Sequence, residues 1–170
     1  VRAVHEGAAD LGICHIPEGA SELQSLSYRH DSLVLIVPEG HPLAGQRAID
    51  FADSLAFDHV GLHTNSSIYV AMHQAALDAG RTIKLRIHVT GLDAMCRMIE
   101  NGLGIGVMPL RAFELMQGGI GRGLRSVALD NAWAQREIRL VARDFSTLPV
   151  AARMLVKHLH APDAAADSLV

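Results

Sequence analysis

The residues best placed for chemistry lie in three short stretches, each next to a predicted strand. His15 follows the predicted strand 10–14, the polar loop 63–67 follows the predicted strand 57–62, and Leu103 lies between two glycines. Hydroxyls, a carboxamide and an imidazole hydrogen-bond polar ligands directly, without needing a metal ion. These residues therefore predict recognition of a small polar molecule.

The loop 63–67 (His-Thr-Asn-Ser-Ser) supports two interpretations, and both stay open. Either its serines only cap a helix predicted over 68–79, or one serine caps and the other binds a ligand. Capping by one serine and ligand binding by the other are compatible, because backbone N–H groups at a helix start point outward at any anion. The candidate binding residues of this loop are Thr64, Asn65, Ser66 and Ser67.

Other polar or reactive side chains have structural explanations beside functional ones. His15 either hydrogen-bonds a ligand carboxylate or is a loop histidine satisfied by the protein itself. Trp133, the only tryptophan, is expected to pack, and Arg136 close by to pair with a neighbouring acid. Cys14 and Cys96 lie far apart in apolar contexts, which predicts free thiols and suits a cytoplasmic protein.

No motif predicts catalysis, a cofactor or a metal. The glycine stretch 102–106 looks like a dinucleotide loop, but it follows a helical pattern and precedes a strand, the reverse of the required order. The nucleophile pattern Gly-x-Ser-x-Gly is absent. His59 and His63 are four apart on a predicted strand, and no His, Cys and carboxylate cluster has zinc spacing.

The totals restrict the class of protein. A chain of 170 residues that is 49% hydrophobic suits one domain or two small lobes with an aliphatic core. A net charge of −3 argues against a nucleic-acid-binding surface of its own. No run of 18 apolar residues is present, so no membrane span is expected. The first residue is Val1 with no signal peptide, and the chain is expected to begin inside a domain.

Strand and helix patterns alternate along the chain, which predicts an α/β fold of sheets flanked by helices. Strands are predicted at 23–29 and 33–37, among others. A capping box formed by Thr90 and Asp93 is expected to start a helix that Gly102 ends. Ligands of such folds bind beyond the carboxyl ends of strands, and the candidate residues lie at such ends.

Four segments resemble, in order, the effector-binding domain of LysR-type transcriptional regulators. Residues 4–13 are similar to its V-x-x-G-x-x-D-L-x-I segment, and residues 33–44 to the strand that ends in G-H-P-L-A. Residues 98–109 resemble V-x-x-G-x-G-I-x-x-L-P, and residues 136–143 with the last helix resemble the family's C-terminal end. The resemblance covers nearly the whole chain, to about residue 160.

The resemblance implies a two-lobed fold like that of type 2 periplasmic binding proteins, each lobe a sheet flanked by helices. Lobe I would comprise 1–36 and 144–160 and be incomplete at its N-terminus, lobe II would comprise 37–143, and 161–170 would form a disordered tail. A small-molecule effector, expected to be anionic, would bind in the inter-lobe cleft. Carried over by position, its ligands would be His15, Thr64, Asn65, Ser66, Ser67 and Leu103.

The resemblance also implies a bacterial regulator that contacts DNA only through a helix-turn-helix domain absent from this chain. A homodimer or homotetramer of the full-length protein is expected, in the cytoplasm and away from membranes. The alternative is a solute-binding protein of a transporter, which would share the fold. A small α/β enzyme is the third hypothesis, but it lacks a recognisable acid–base or nucleophile set.

Overall fold

The computed structural model describes residues 1–16 and 22–160, so the tail predicted at 161–170 and most of the loop after His15 lie outside the described residues. Within the described part, helices α1 to α6 are Arg2–His5, Phe51–Ser54, Ser67–Asp78, Leu92–Glu100, Leu110–Met116 and Val150–Leu159. Strands β1 to β8 are Gly12–His15, Gln24–Pro38, Ala48–Ile49, Asp58–Leu62, Lys84–Val89, Gly106–Pro109, Leu124–Leu129 and Gln135–Ala142. The mixture of helices and strands confirms the predicted α/β class.

The chain forms two compact units. The first unit contains residues 1–30 and those from 137 onward, and the second contains residues 31–136. β2 and β8 are the strands that run through these boundaries. The boundaries expected from the sequence, after residues 36 and 143, lie a few positions later in the chain than the boundaries between these two units.

The second unit is built on the C-terminal half of β2. Its residues pair antiparallel with β6 on one edge and β7 on the other, as in Val34 with Met108 and Val34 with Ala128. Leu33 and Leu35 face one apolar cluster, while Val34 and Ile36 face another. Both faces are therefore buried, which explains why this stretch is a continuous aliphatic run rather than an alternating one.

A smaller parallel sheet of β4 and β5 also belongs to the second unit. The segment before β6 joins β4 through reciprocal backbone bonds between Ile105 and the neighbouring chain at Asp58 and Val60. Gly104 makes this approach possible, since its φ is 146° and a Cβ there would lie 2.4 Å from the carbonyl oxygen of Asp58. β5 alternates in burial along its length, as predicted for a half-exposed strand.

The first unit has a smaller core. β1 pairs antiparallel with β8, with Gly12 opposite Val141, and Val4 of α1 packs close to Gly12. Leu140 is fully buried, but α6 has no buried residue. No helix in the described part of the chain is long and apolar enough to cross a membrane.

Two sequence-based predictions of local structure are wrong. The capping box of Thr90 and Asp93 does not form, because Gly91 is the N-cap of α4 and no side chain caps it. The strands predicted at 23–29 and 33–37 are one continuous strand, β2. Gly102 does end α4 in the left-handed conformation, at φ 74°, as predicted.

Candidate functional site

The polar loop after β4 leads directly into the first turn of α3. The backbone N–H of Ser66 donates to the carbonyl of His63 over 2.9 Å, closing a turn. Ser66 is extended, at φ −69° and ψ 133°, and occupies the N-cap position, while Ser67 is the first helical residue. The helix start was predicted correctly to within one residue.

The capping role predicted for a serine hydroxyl is wrong. Ser66 stands at the N-cap, but neither its side chain nor any other described side chain accepts a hydrogen bond there. The first N–H groups of a helix have no intrahelical partner. The start of α3 therefore presents backbone donors and the positive end of the helix dipole, without a side-chain oxygen to satisfy them.

The helix that carries this site is anchored in the core of the second unit. Ile68, Met72 and Ala76 are buried on one face and share an apolar cluster with Phe51 and Leu55 of the α2 region. Their spacing of four places them on one stripe of the helix. Burial of this stripe fixes the position of the first turn, while Thr64 and Asn65 of the preceding loop stay exposed.

A buried arginine lies against this first turn. The side chain of Arg136 is 6% exposed and forms an ion pair with Asp31, whose side chain is 13% exposed. Its Nη1 lies 3.5 Å from the hydroxyl oxygen of Ser67. Among the described residues its Nε has no hydrogen-bond partner. Arg136 does pair with an acid, as predicted, but the acid is 105 positions away in the chain.

His15 lies in the first unit, at the end of β1 opposite Ile138 of β8. Its Nδ1 lies 3.1 Å from the carbonyl oxygen of Glu137. A carbonyl only accepts, so Nδ1 carries the proton and a neutral His15 has Nε2 left as an acceptor. The protein itself thus satisfies one nitrogen, and His15 donates to an anion through Nε2 only when it is protonated.

The neighbourhood of His15 is charged. The hydroxyl of Ser27 and the guanidinium of Arg139 hold the pKa of the Glu137 carboxyl below its usual value. Arg139 donates to Glu137 over 2.9 Å and to Ser25 over 2.9 Å. Glu137 is therefore ionised at neutral pH.

Leu103 follows Gly102 at the end of α4, and its N–H donates to Met98 over 3.1 Å. Its partly buried side chain packs on the apolar cluster that includes Met95 and Ile99. This position is explained by packing. Of the six residues predicted to bind a ligand, the structure brings together the four consecutive ones from Thr64 to Ser67, and it gives Leu103 a structural environment.

Two further reactive side chains, those of His59 and Cys96, are fully buried. Burial lowers the pKa of His59 to about 4, and Ser54 lies 3.3 Å from its Nε2. Burial also raises the pKa of the Cys96 thiol to about 11, and both cysteines are free, as predicted. Trp133 packs edge-on against Phe51 with ring centroids 5.3 Å apart, again as predicted. No group of three or more His, Cys, Asp and Glu within the described residues is arranged to hold a metal.

The sequence did not point to Asp31 as part of the site. Its only signal is an acid two positions before the aliphatic run of β2, near the change from half-exposed to buried strand. A charge at such a point needs a partner. Without a fold, nothing in the sequence identifies that partner as Arg136.

Comparisons with known proteins agree with this architecture. Residues 1–162 match the family model "LysR substrate binding domain". A RuBisCO operon transcriptional regulator of Allochromatium vinosum is 30% identical over 115 residues, which are 68% of this chain and 38% of that protein. The chain thus spans little more than a third of the length of this relative.

Solved structures of low identity share the fold. The regulatory domain of CcmR from Synechocystis PCC6803 in complex with 2-PG is 20% identical, with a TM-score of 0.80 over 94% of this chain and 76% of that one. The effector-binding domain of QuiR in complex with shikimate is 19% identical, with a TM-score of 0.75 over 92% and 72%. Such domains have the type 2 periplasmic-binding-protein-like fold. With a family match that covers nearly all of its length, the chain belongs to the LysR substrate binding domain family.

Proposed function

We propose that this chain is the ligand-sensing domain of a LysR-type transcriptional regulator and that it binds a small anionic effector at the start of α3. The observation that carries the proposal is the first turn of α3, which no side chain among the described residues caps. The exposed loop residues Thr64 and Asn65 add further hydrogen-bonding groups beside it. An anion is the ligand class that such a collection of donors favours.

The relatives support a binding role. Two solved relatives are complexes with 2-PG and with shikimate. The relatives matched by sequence are described as transcriptional regulators, which favours a regulator over the solute-binding protein of a transporter. Because these relatives are regulators, we assign recognition to this domain and no reaction.

Regulation would follow from a difference in effector affinity between two states of the protein. A ligand shifts such an equilibrium only by the ratio of its affinities for the two states. The contacts that differ would include those of His15, Thr64, Asn65, Ser66, Ser67 and Leu103, and we retain all six as proposed ligand-binding residues.

The proposal for the full-length protein has three further parts. DNA is contacted through a helix-turn-helix domain outside this chain, the assembly is a homodimer or homotetramer, and the protein is cytoplasmic with no membrane partner. The reading frame upstream of Val1 is the cheapest test. A helix-turn-helix sequence there supports regulation, whereas a secretion signal supports a transported-solute receptor.

The binding proposal is tested by calorimetric titration of the chain with carboxylates, aromatic acids and phosphate esters, shikimate among them. We expect Ser66→Ala and His15→Ala to weaken any detected binding by about tenfold, which corresponds to loss of about one charge-assisted hydrogen bond. Ser126→Ala, at an exposed position of β7, is the matched control and should change nothing. Unchanged affinity in both site variants would show that the ligand binds elsewhere.

A further inference from the structure

The ion pair of Arg136 and Asp31 is unusual in that both of its charged side chains are largely withdrawn from water. Taking a guanidinium and a carboxylate out of water is costly, and a buried pair is weak evidence of a contribution to stability. Arg136 also keeps one N–H without a partner among the described residues. This arrangement calls for an explanation other than stability.

The direction of the contact with Ser67 gives that explanation. A guanidinium has donors only, so in the 3.5 Å contact the hydroxyl oxygen of Ser67 is the acceptor. The hydroxyl proton of Ser67 then points away from Arg136 and is free to donate. It joins the backbone N–H groups of the first turn of α3, which lack a side-chain cap. The turn therefore presents a set of donors with one orientation.

Charge adds to this geometry. The guanidinium places a full positive charge next to the positive end of the α3 dipole, and both favour an anion. Asp31 places a negative charge on the same guanidinium and offsets much of the attraction. The strength of the field at the first turn is thus set by the balance between Arg136 and Asp31, a pair that is itself largely shielded from water.

We propose that Arg136 is a positioning and specificity-determining residue that makes the first turn of α3 select an anionic group over a neutral group of the same shape. Arg136 acts by orienting the Ser67 hydroxyl as a donor and by attracting the anion with its positive charge. Asp31 offsets part of that attraction. This inference rests on the function proposed for the α3 site and deepens it by assigning its ligand selectivity to a residue outside the loop.

The test uses inorganic phosphate as the probe and ¹H–¹⁵N NMR of the 170-residue chain as the readout. Phosphate should shift the backbone amides of Ser67, Ile68 and Tyr69 in the wild-type chain. Asp31→Asn should tighten phosphate binding at these amides by about fivefold, because Arg136 is then left without its counter-charge. Asp78→Asn removes the same charge at the far end of α3 and is the matched control, which should leave the affinity unchanged.

The effect of removing Arg136 is tested in variants that also lack the Asp31 carboxylate, so that no unpaired carboxylate is left buried. The double variant Asp31→Asn with Arg136→Gln keeps the pair neutral and should lose the phosphate shifts at Ser67 and its neighbours. Asp31→Asn with Arg136→Lys restores the charge but not the planar fork, and should recover part of the binding. The dispersion of the NMR spectrum reports whether each variant is folded, so a loss of binding in a folded variant is interpretable.

Three results would overturn the inference: no phosphate shift at these amides in the wild-type chain, equal effects of Asp31→Asn and Asp78→Asn, or full binding in the neutral double variant. Failure of the α3 site as an effector site looks different. In that case no carboxylate or phosphate ester of the panel binds, while phosphate still shifts the first-turn amides in an Arg136-dependent way. If instead a ligand of the panel binds equally well to all these variants, the α3 effector site is supported and the proposed role of Arg136 is wrong.

Discussion

At the scale of single residues, burial sets the chemistry of this chain. His59 has no exposed surface, packs edge-on against Phe51 and shares a hydrogen bond with Ser54. A histidine near a pocket is commonly considered as an acid or base, but desolvation keeps this one neutral. Its role is to connect α2 to β4 inside the core.

His59 makes the stability of the second unit dependent on pH. Its folded-state pKa, about 4, lies below the ordinary value of 6.5, so the unfolded chain takes up the proton first as the pH falls. The free energy of unfolding is unaffected above about pH 6.5 and should drop by about 3 kcal/mol between there and pH 4. Urea titrations at a series of pH values measure this drop.

The control for that experiment is His59→Gln, which keeps a hydrogen-bonding side chain and removes the titration. Acidic side chains also contribute to acid sensitivity, and they do so equally in both proteins. The difference between wild type and variant therefore isolates His59. Parallel curves for the two proteins between pH 6.5 and pH 4 would mean that the histidine is not kept neutral by the fold.

At the scale of elements, β2 shows where sequence patterns stop being informative. The polar residues His30, Asp31 and Ser32 interrupt two apolar segments and look like a break between strands. In the structure the strand continues through these residues, with Asp31 paired to Arg136 and Ser32 donating to Gln135 over 2.8 Å. Both partners lie more than 100 positions away in the sequence, so no local sequence pattern could identify them.

Helix starts show the same contrast between local and distant information. Asp50, an acid directly before the short helix α2, is its N-cap, and its carboxylate accepts from the N–H of Ala52 over 2.8 Å. The cap predicted at Thr90 is wrong, because its strand runs on to Val89 and Gly91 takes the N-cap position. A helix cap can be predicted only when the first residue of the helix can be predicted. That residue depends on where the preceding strand stops pairing with its neighbour.

The cap at Asp50 also holds the element that follows β7, since its second oxygen accepts from Asn131 over 3.2 Å. Asp50→Ala should therefore lower the free energy of unfolding by about 1 to 2 kcal/mol. Asp53→Ala, in the first turn of the same helix, should cost only a few tenths of a kcal/mol through the helix dipole. Equal losses in urea denaturation would show that charge near α2, rather than the cap, is what matters.

At the scale of the whole molecule, the resemblance to a family predicted the architecture, and the alternation of strands and helices alone predicted only its class. Neither level could assign the contacts of the candidate site. The loop after β4 and the start of α3 were located from local polarity, and they lie where predicted. The arginine that lies against this turn comes from the other end of the second unit, through a side chain whose orientation only the folded chain reveals.

The two units should differ in local stability, because their cores differ. In the second unit both faces of β2 are buried, and strands pair with it on both edges. In the first unit, Ile13 of β1 is 50% exposed and Met154 of α6 is 68% exposed. Local opening free energies follow the apolar contacts that an element makes. We expect amides of β1 and α6 to exchange with deuterium at least roughly tenfold faster than those of residues 33–37.

Hydrogen exchange followed by mass spectrometry resolves this difference in the 170-residue chain. The comparison needs a reference for intrinsic mobility, and β7, which pairs with β2 in the second unit, provides it. If β1 and α6 are protected to the same degree as β7, the chain unfolds as one cooperative body and the exposed apolar side chains of the first unit are covered in solution. If they exchange faster, the second unit is the stable scaffold that holds the α3 site in place while the first unit opens.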